Sequence, residues 1–187
     1  MGTVAIIDYD GTWPKQFGAV QRRLLSAAGD LATRIDHIGS TSVSGLAAKD
    51  VIDVQVTVKD EPSLEVAADA LAKAGWIRSD RVSGDHHFPG ADPPEHLRKI
   101  LLSQGPDERP TNIHVRVDGW PNQRYALLFR DYLRANQETA EAYAELKRRL
   151  AELLPDDPGR YADVKDPACD LIYLAAEQWA TRAAWVP

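Results

Sequence analysis

A turn of small and hydroxyl-bearing residues, Gly39-Ser40-Thr41-Ser42, follows a short β-patterned segment ending in His37-Ile38. Small residues let a backbone approach a ligand closely and hydroxyls add donors, so such a turn can present N–H and O–H groups to a phosphate. By composition alone it is equally an ordinary hydrogen-bonded loop. Its setting is more specific. Twelve residues lie between Ser40 and Asp53, and Asp53 falls on the polar side of a segment, 51–58, that is otherwise rich in Ile and Val. A carboxylate there needs a partner, because an unpaired charge among apolar side chains is costly. That partner is either Mg²⁺, which takes carboxylate oxygen and bridges to substrate phosphates, or a basic side chain such as Lys49. In two-metal nucleotidyl transfer a second carboxylate stands two positions along the same strand. Here Gln55 stands there, so either one ion suffices or the site binds without turnover.

A second segment repeats the pattern: Ile113, Val115 and Val117 alternate with Asn112, His114 and Arg116. His114 can act as general base, phosphate donor or metal ligand, with a purely structural histidine as the alternative. His37 either orients the turn or packs beneath it. Lys49, Arg116, Arg124, Arg130 and Arg134 are the candidates to line a local basic pocket. Arg130 and Arg134 sit one helical turn apart, and either reach a nucleotide's phosphates or pair with Asp131 and Glu138. The candidate set is therefore Asp53 and His114 as catalytic residues, with Asp53 as the Mg²⁺ ligand. His37, Gly39, Ser40, Thr41, Lys49, Gln55, Arg116, Arg130 and Arg134 are the candidates to surround the ligand. His86, His87 and His96 fit no HExxH spacing, and there is no GxSxG elbow, which argues against zinc-dependent and serine hydrolysis. The sole cysteine, Cys169, excludes an intramolecular disulfide and reads as a small buried hydrophobe beside Leu171, Ile172 and Ala175.

These residues need a sheet to carry them. Helical periodicity covers 13–28, where Phe17, Val20, Leu24, Leu25 and Ala28 recur before Gly29. Residues 34–38 read as a short strand into the turn. Residues 51–58 alternate cleanly, with Ile52, Val54, Val56 and Val58 on one face and Asp53, Gln55 and Thr57 on the other. A helix is predicted over 62–74, a mobile Pro- and Gly-rich loop over 78–94, and a hairpin of strands 97–103 and 112–117. Helices follow over 123–135 and 138–154, then a last one with Asp166 as N-cap and Pro167 in its first turn, its apolar stripe formed by Leu171, Ile172, Ala175 and Trp179. The order implies an α/β (α+β) fold with a small mixed sheet covered by helices. The 187 residues suit one domain, 1–187, and 44% hydrophobic with 27% charged residues is ordinary soluble usage. A net charge of −6 argues against extended nucleic-acid binding. No apolar run approaches the roughly 20 residues of a membrane span, and the start, 1–8, lacks a basic n-region, so a cytoplasmic protein is expected.

The stretch from Asp36-His37-Ile38-Gly39-Ser40-Thr41-Ser42 to Asp53-Val54, with Asn112-Ile113-His114-Val115-Arg116 and Phe129-Arg130-Asp131-Tyr132-Leu133-Arg134, resembles the GrpB family. Tyr9-Asp10, Trp13-Pro14, the helix with Tyr143 and Lys147, and residues 161–165 match in order, so the resemblance covers nearly the whole chain. It is strongest to the GrpB-like domain fused behind dephospho-CoA kinase in some bacteria, although no kinase P-loop is present here. The resemblance implies the nucleotidyltransferase fold of DNA polymerase beta, in which a Gly-Ser loop precedes a strand with paired carboxylates. Gly39, Ser40 and Asp53 match that pattern. Gln55 departs from it, and Ser44 stands where the family commonly has proline. Implied with the fold is a nucleoside triphosphate bound with Mg²⁺ for transfer to an acceptor. The alternatives are a non-catalytic nucleotide- or coenzyme A-binding module and an interaction protein.

Overall fold

Alternation of apolar and polar side chains gives the chain its central strands, and helices then cover both faces of the resulting sheet. The structure, a computed structural model, describes residues 3–187; Met1 and Gly2, the first residues of the leader reading, lie outside the described residues. Helix α1 (Trp13–Ala28) leads to β1 (Arg34–Ile38), β2 (Ile52–Val58), α2 (Pro62–Lys73), β3 (Ile77–Arg78), β4 (Ile100–Ser103) and β5 (Thr111–Val117). Three helices close the chain: α3 (Pro121–Ala135), α4 (Gln137–Leu153) and α5 (Pro158–Ala183). The five strands form one mixed sheet in the order β1-β2-β5-β4-β3, with β2 parallel to β5 and the other pairs antiparallel.

One face of this sheet is the main core. Ile52, Val54, Val56 and Val58 pack with Ile113 and Val115 beneath α1 and α2, against Trp13, Leu24, Leu64 and Leu71. Each fully buried aliphatic side chain contributes about 1.5–3 kcal/mol relative to exposure. The opposite face carries the polar residues. The parallel register sets Asp53 beside Asn112, Gln55 beside His114 and Thr57 beside Arg116, so two separately patterned strands become one polar surface. Helix α3 lies over β1 and β5 on that side, with α4 and α5 packed against it.

The ranges of α1 and β1 agree with the sequence reading, and the β4–β5 hairpin forms, although 94–97 is a 3-10 turn and not the start of its first arm. On the polar strand face Gln55 and Thr57 are fully buried, Gln55 with its Nε2 donating to Gln123 O of α3 at 3.2 Å. Three expectations change. The loop over 78–94 is not loose, since Asp85 is anchored by Arg116, Lys99 and Asn122. The last helix starts eight residues before Asp166, where Asp157 caps it through the Arg160 N–H at 3.0 Å and Pro158 takes the first turn. Pro167 lies inside α5, forfeiting one backbone hydrogen bond. Finally, Leu171 is 70% exposed; the buried stripe of α5 runs through Cys169, Tyr173, Ala176 and Ala180. No helix among the described residues is long and apolar enough to cross a membrane.

Candidate functional site

The Gly39 turn is held rigidly and from several sides. Gly39 adopts φ +67° and ψ −175°, and a Cβ built there would lie 2.9 Å from Asp53 Cβ, so the backbone can rest on the Asp53 carboxylate only as glycine. Ser42 Oγ donates to Gly39 O at 2.6 Å, and Thr41 Oγ1 donates to Val51 O at 3.3 Å while lying 3.0 Å from His37 Nε2. His37 itself stacks on Phe17, with centroids 4.6 Å apart, so it both packs and orients the turn. From α3, Arg134 donates twice to Ser42 O, at 3.1 and 2.7 Å, and Arg130 donates to His37 O at 3.1 Å. Both also pair with Asp131, and Arg130 with Asp36. These guanidiniums brace the turn from behind and do not line the cavities in front of it. The expected reach of Arg130 and Arg134 to phosphates is corrected accordingly.

Two cavities meet at Gly39, Ser40, Asp53 and Asn112. The larger, about 590 Å³, is walled by Asp85, Lys99, His114, Arg116, Tyr125 and Phe129. The smaller, about 270 Å³, takes in Thr41, Lys49, Tyr143, Lys147, Tyr161 and Lys165. Asp53 Oδ1 accepts from Asn112 Nδ2 at 2.9 Å and lies 3.8 Å from His114 Nε2. Burial pushes this carboxyl up, but His114 and Asn112 outweigh it and keep the group below its usual range. The partner foreseen for Asp53, Lys49, instead sits over the Tyr161 ring at 4.0 Å. Gln55 does not face either cavity. Its Oε1 accepts from Arg116 Nη1 at 2.8 Å and its Nε2 donates to Gln123 O at 3.2 Å, which corrects its assignment to the ligand's surroundings. Arg116 does reach the larger cavity, where it pairs with Asp85 at 3.0 Å. Burial raises the Asp85 carboxyl, yet Arg116 and Lys99 hold it well below the ordinary carboxylate range.

Both central histidines are neutral at pH 7. Burial takes His114 from 6.5 to about 4, with Arg116 and Lys99 assisting against Asp53. His37 also falls to about 4 through burial, with Arg134 and Arg130 assisting. In the unfolded chain both imidazoles protonate near 6.5, so the folded state binds fewer protons between about pH 6.5 and 4 and loses stability as pH falls through that window. Urea midpoints measured at pH 7.5, 5.5 and 4.5 are expected to drop in that order, and to drop less in His37→Phe. A midpoint constant across the window contradicts neutral buried histidines.

Other site residues were invisible to sequence patterning. Lys147 reads as one member of a basic helix terminus, Lys147-Arg148-Arg149, yet it is buried, 2.8 Å from Ser40 Oγ, and lies over the Tyr143 ring at 4.6 Å. Lys165 reaches Asp166 at 3.0 Å and Cys169 Sγ at 3.4 Å, and Cys169 is buried as expected. Asp85 and Lys99 complete the larger wall. Arg124 stands apart, paired with Glu177. The remaining histidines do not converge: His86 bonds Asp170 at 2.9 Å, His87 is exposed, and His96 stacks on Trp120.

For Mg²⁺ this site offers the Asp53 carboxylate and no all-protein cage. Among the described residues no three His, Cys, Asp or Glu side chains come together to hold a metal. Asp85 is occupied by Arg116 and Lys99, and Asp166 by Lys165, which leaves Asp53 as the carboxylate where the two cavities meet. Mg²⁺ keeps several waters and is held by one or two carboxylates together with substrate phosphates, so Asp53 is the residue that would hold it here.

Comparison with known proteins places this architecture. The family described as GrpB protein matches residues 3–174. A dephospho-CoA kinase of Mycolicibacterium paratuberculosis is 36% identical over 98% of this chain and 48% of its own length, so the chain spans about half of that relative. A UPF0157 protein of Halalkalibacterium halodurans is 34% identical over 87% of this chain and 77% of its own. The crystal structure of conserved protein GrpB from Enterococcus faecalis superposes with a TM-score of 0.74 at 28% identity, covering 94% of this chain and 99% of that one.

Proposed function

The chain belongs to the GrpB family, and from that premise we propose that it binds the phosphate chain of a nucleotide between the Gly39-Ser40 turn and three lysines. One observation carries this reading: Lys49, Lys147 and Lys165 line a single small cavity with Ser40 and Thr41, where Asp53 is the only carboxylate. Lys49 and Lys165 bring positive charge to this wall and Lys147 adds an N–H donor, a set that favours an anionic ligand. Lysine binds phosphate as a point charge, and the turn adds hydroxyl and backbone donors. Tyr125 and Phe129, stacked 5.9 Å apart in the adjoining cavity, offer aromatic faces to a base. Lysine charge takes the place of a resident ion, and any Mg²⁺ arrives on the nucleotide. The nucleotidyltransferase pattern implied by Gly39, Ser40 and Asp53 supports the same ligand class. The buried Gln55, tied to Arg116, favours binding over metal-dependent transfer to an acceptor.

Calorimetry with ATP, GTP, CTP and UTP, with Mg²⁺ and then with EDTA, tests this. At least one nucleotide is expected to bind, with an affinity that changes less than about threefold when the metal is removed. Lys49→Met is expected to weaken binding roughly tenfold, the worth of one charge-assisted contact. No binding by any of the four, in protein that melts normally, overturns the nucleotide reading; binding abolished by EDTA overturns its metal-free form.

A further inference from the structure

The turn carries three hydroxyls, and they are not equivalent. Thr41 donates to Val51 O and Ser42 to Gly39 O, so both protons are committed to carbonyls. Ser40 Oγ has an amine as its partner, Lys147 Nζ at 2.8 Å, and it borders both cavities. Lys147 is buried and has no carboxylate within ion-pair distance among the described residues. Its remaining neighbours are Ala47 O and the face of the Tyr143 ring. As an ammonium, Lys147 donates to Ser40 Oγ and Ala47 O and faces the Tyr143 ring, but has no carboxylate counter-ion in a buried position, which is costly. As an uncharged amine it keeps the carbonyl and the ring, and its lone pair is free to take the Ser40 proton across the same 2.8 Å.

We propose that Ser40 is a nucleophile with Lys147 as its general base, and that it attacks a tetrahedral phosphorus such as the α-phosphorus of the bound nucleotide. In that step the Ser40 Oγ–P bond forms, the bond from the α-phosphorus to the bridging oxygen breaks, and pyrophosphate leaves with the electron pair. The Oγ proton passes to Lys147 Nζ, and Ser40 is left as a nucleotidyl ester. The nucleotide as natural electrophile rests on the reading above; the nucleophile and its base do not. The surrounding charges are consistent with a base near neutral pH. Burial lowers Lys147 to about 7, with Lys165 and Arg148 pushing the same way against Cys169 and Asp53. Lys49 and the ring of Tyr161 complete the wall.

Diisopropyl fluorophosphate tests the pair without any nucleotide, because fluoride is then the leaving group. Peptide mass spectrometry is expected to find the adduct on Ser40, with a labelling rate that climbs through about pH 7 and levels off. Ser40→Ala is expected to remain unlabelled at this peptide. Lys147→Arg, which stays protonated and cannot accept a proton, is expected to label roughly 100-fold more slowly. Absence of a Ser40 adduct in protein that melts normally overturns the proposal. So does a pH-independent rate in the unaltered protein, a readout that needs no variant to fold, and so does an unchanged rate in Lys147→Arg. Calorimetry on the same sample separates the two readings: nucleotide binding without labelling overturns only the nucleophile, and labelling without nucleotide binding overturns only the nucleotide.

Discussion

Gly39→Ala is expected to lower nucleotide affinity by more than roughly 100-fold and to destabilise the protein by about 1–3 kcal/mol, the cost of forcing a side chain into a conformation open essentially to glycine alone. The positive φ with extended ψ is the first reason. The second is space, since the new Cβ would lie 2.9 Å from Asp53 Cβ and 3.0 Å from its Cγ. Asp53 cannot step aside, because Asn112 holds its carboxylate and β2 is paired on both sides. The turn must move instead, and Arg130 and Arg134 clamp the carbonyls on either side of it. Gly45→Ala is the control. Gly45 also has a positive φ, +79°, but a Cβ there meets nothing within 4 Å. It is expected to lower stability without changing affinity. Calorimetry and chemical denaturation of both variants read the two effects, and Gly39→Ala binding within threefold of the unaltered protein refutes the close approach.

The second large effect is on the buried ion network. Arg116→Met is expected to cost about 3–5 kcal/mol, as removal of one partner from a buried pair does. Arg116 donates to both oxygens of Asp85 at 3.0 Å and to Gln55 Oε1 at 2.8 Å, and its side chain is 7% exposed. Without it Asp85 keeps only Lys99 and Asn122, and the Gln55 oxygen is left buried without a donor. An exposed pair such as Arg149–Glu145 contributes about 0.3–0.5 kcal/mol by comparison. Adding Asp85→Asn to Arg116→Met is expected to recover part of the loss, because the stranded charge is removed with its partner. Urea denaturation of the two single variants and the double variant decides it; a single-variant loss under about 1 kcal/mol contradicts the network.

How much of this was legible depended on whether a residue's signal was local. Trp13 to Ala28 repeats its apolar residues at helical spacing before a glycine, and β1 and α1 have the extents that reading gives. Gly39, Ser40 and Asp53 were legible because a small turn beside an Ile/Val strand interrupted by a carboxylate is itself unusual. Gln55 and Thr57 gave the alternation but not the burial, since burial depends on α3 arriving 60 residues later in the chain. Lys147 and Lys165 entered only through the family resemblance, and their spacing gave no sign that they face the site. On a helix a lysine that faces the core and one that faces water have the same spacing to their neighbours, and only the packing of α4 and α5 selects between Lys147 and Arg148. The start of α5 was ambiguous for another reason: Asp157-Pro158 and Asp166-Pro167 carry the same capping signal. Asp85 lay in a Pro/Gly-rich segment whose composition suggests mobility, whereas its charge ties the segment down.

The parallel β2–β5 pairing also determines when the site comes into being. Asp53 and Asn112 touch across 59 positions of sequence, with β2 and β5 at the centre of the sheet. Closing so long a loop is an entropic cost met before the contacts that reward it, so this pairing belongs to the slow part of folding. Lys147 and Lys165 arrive from helices synthesised later still. A ligand that engages Asp53, Ser40 and these lysines therefore recognises the folded state alone, and its binding energy adds directly to the free energy of unfolding.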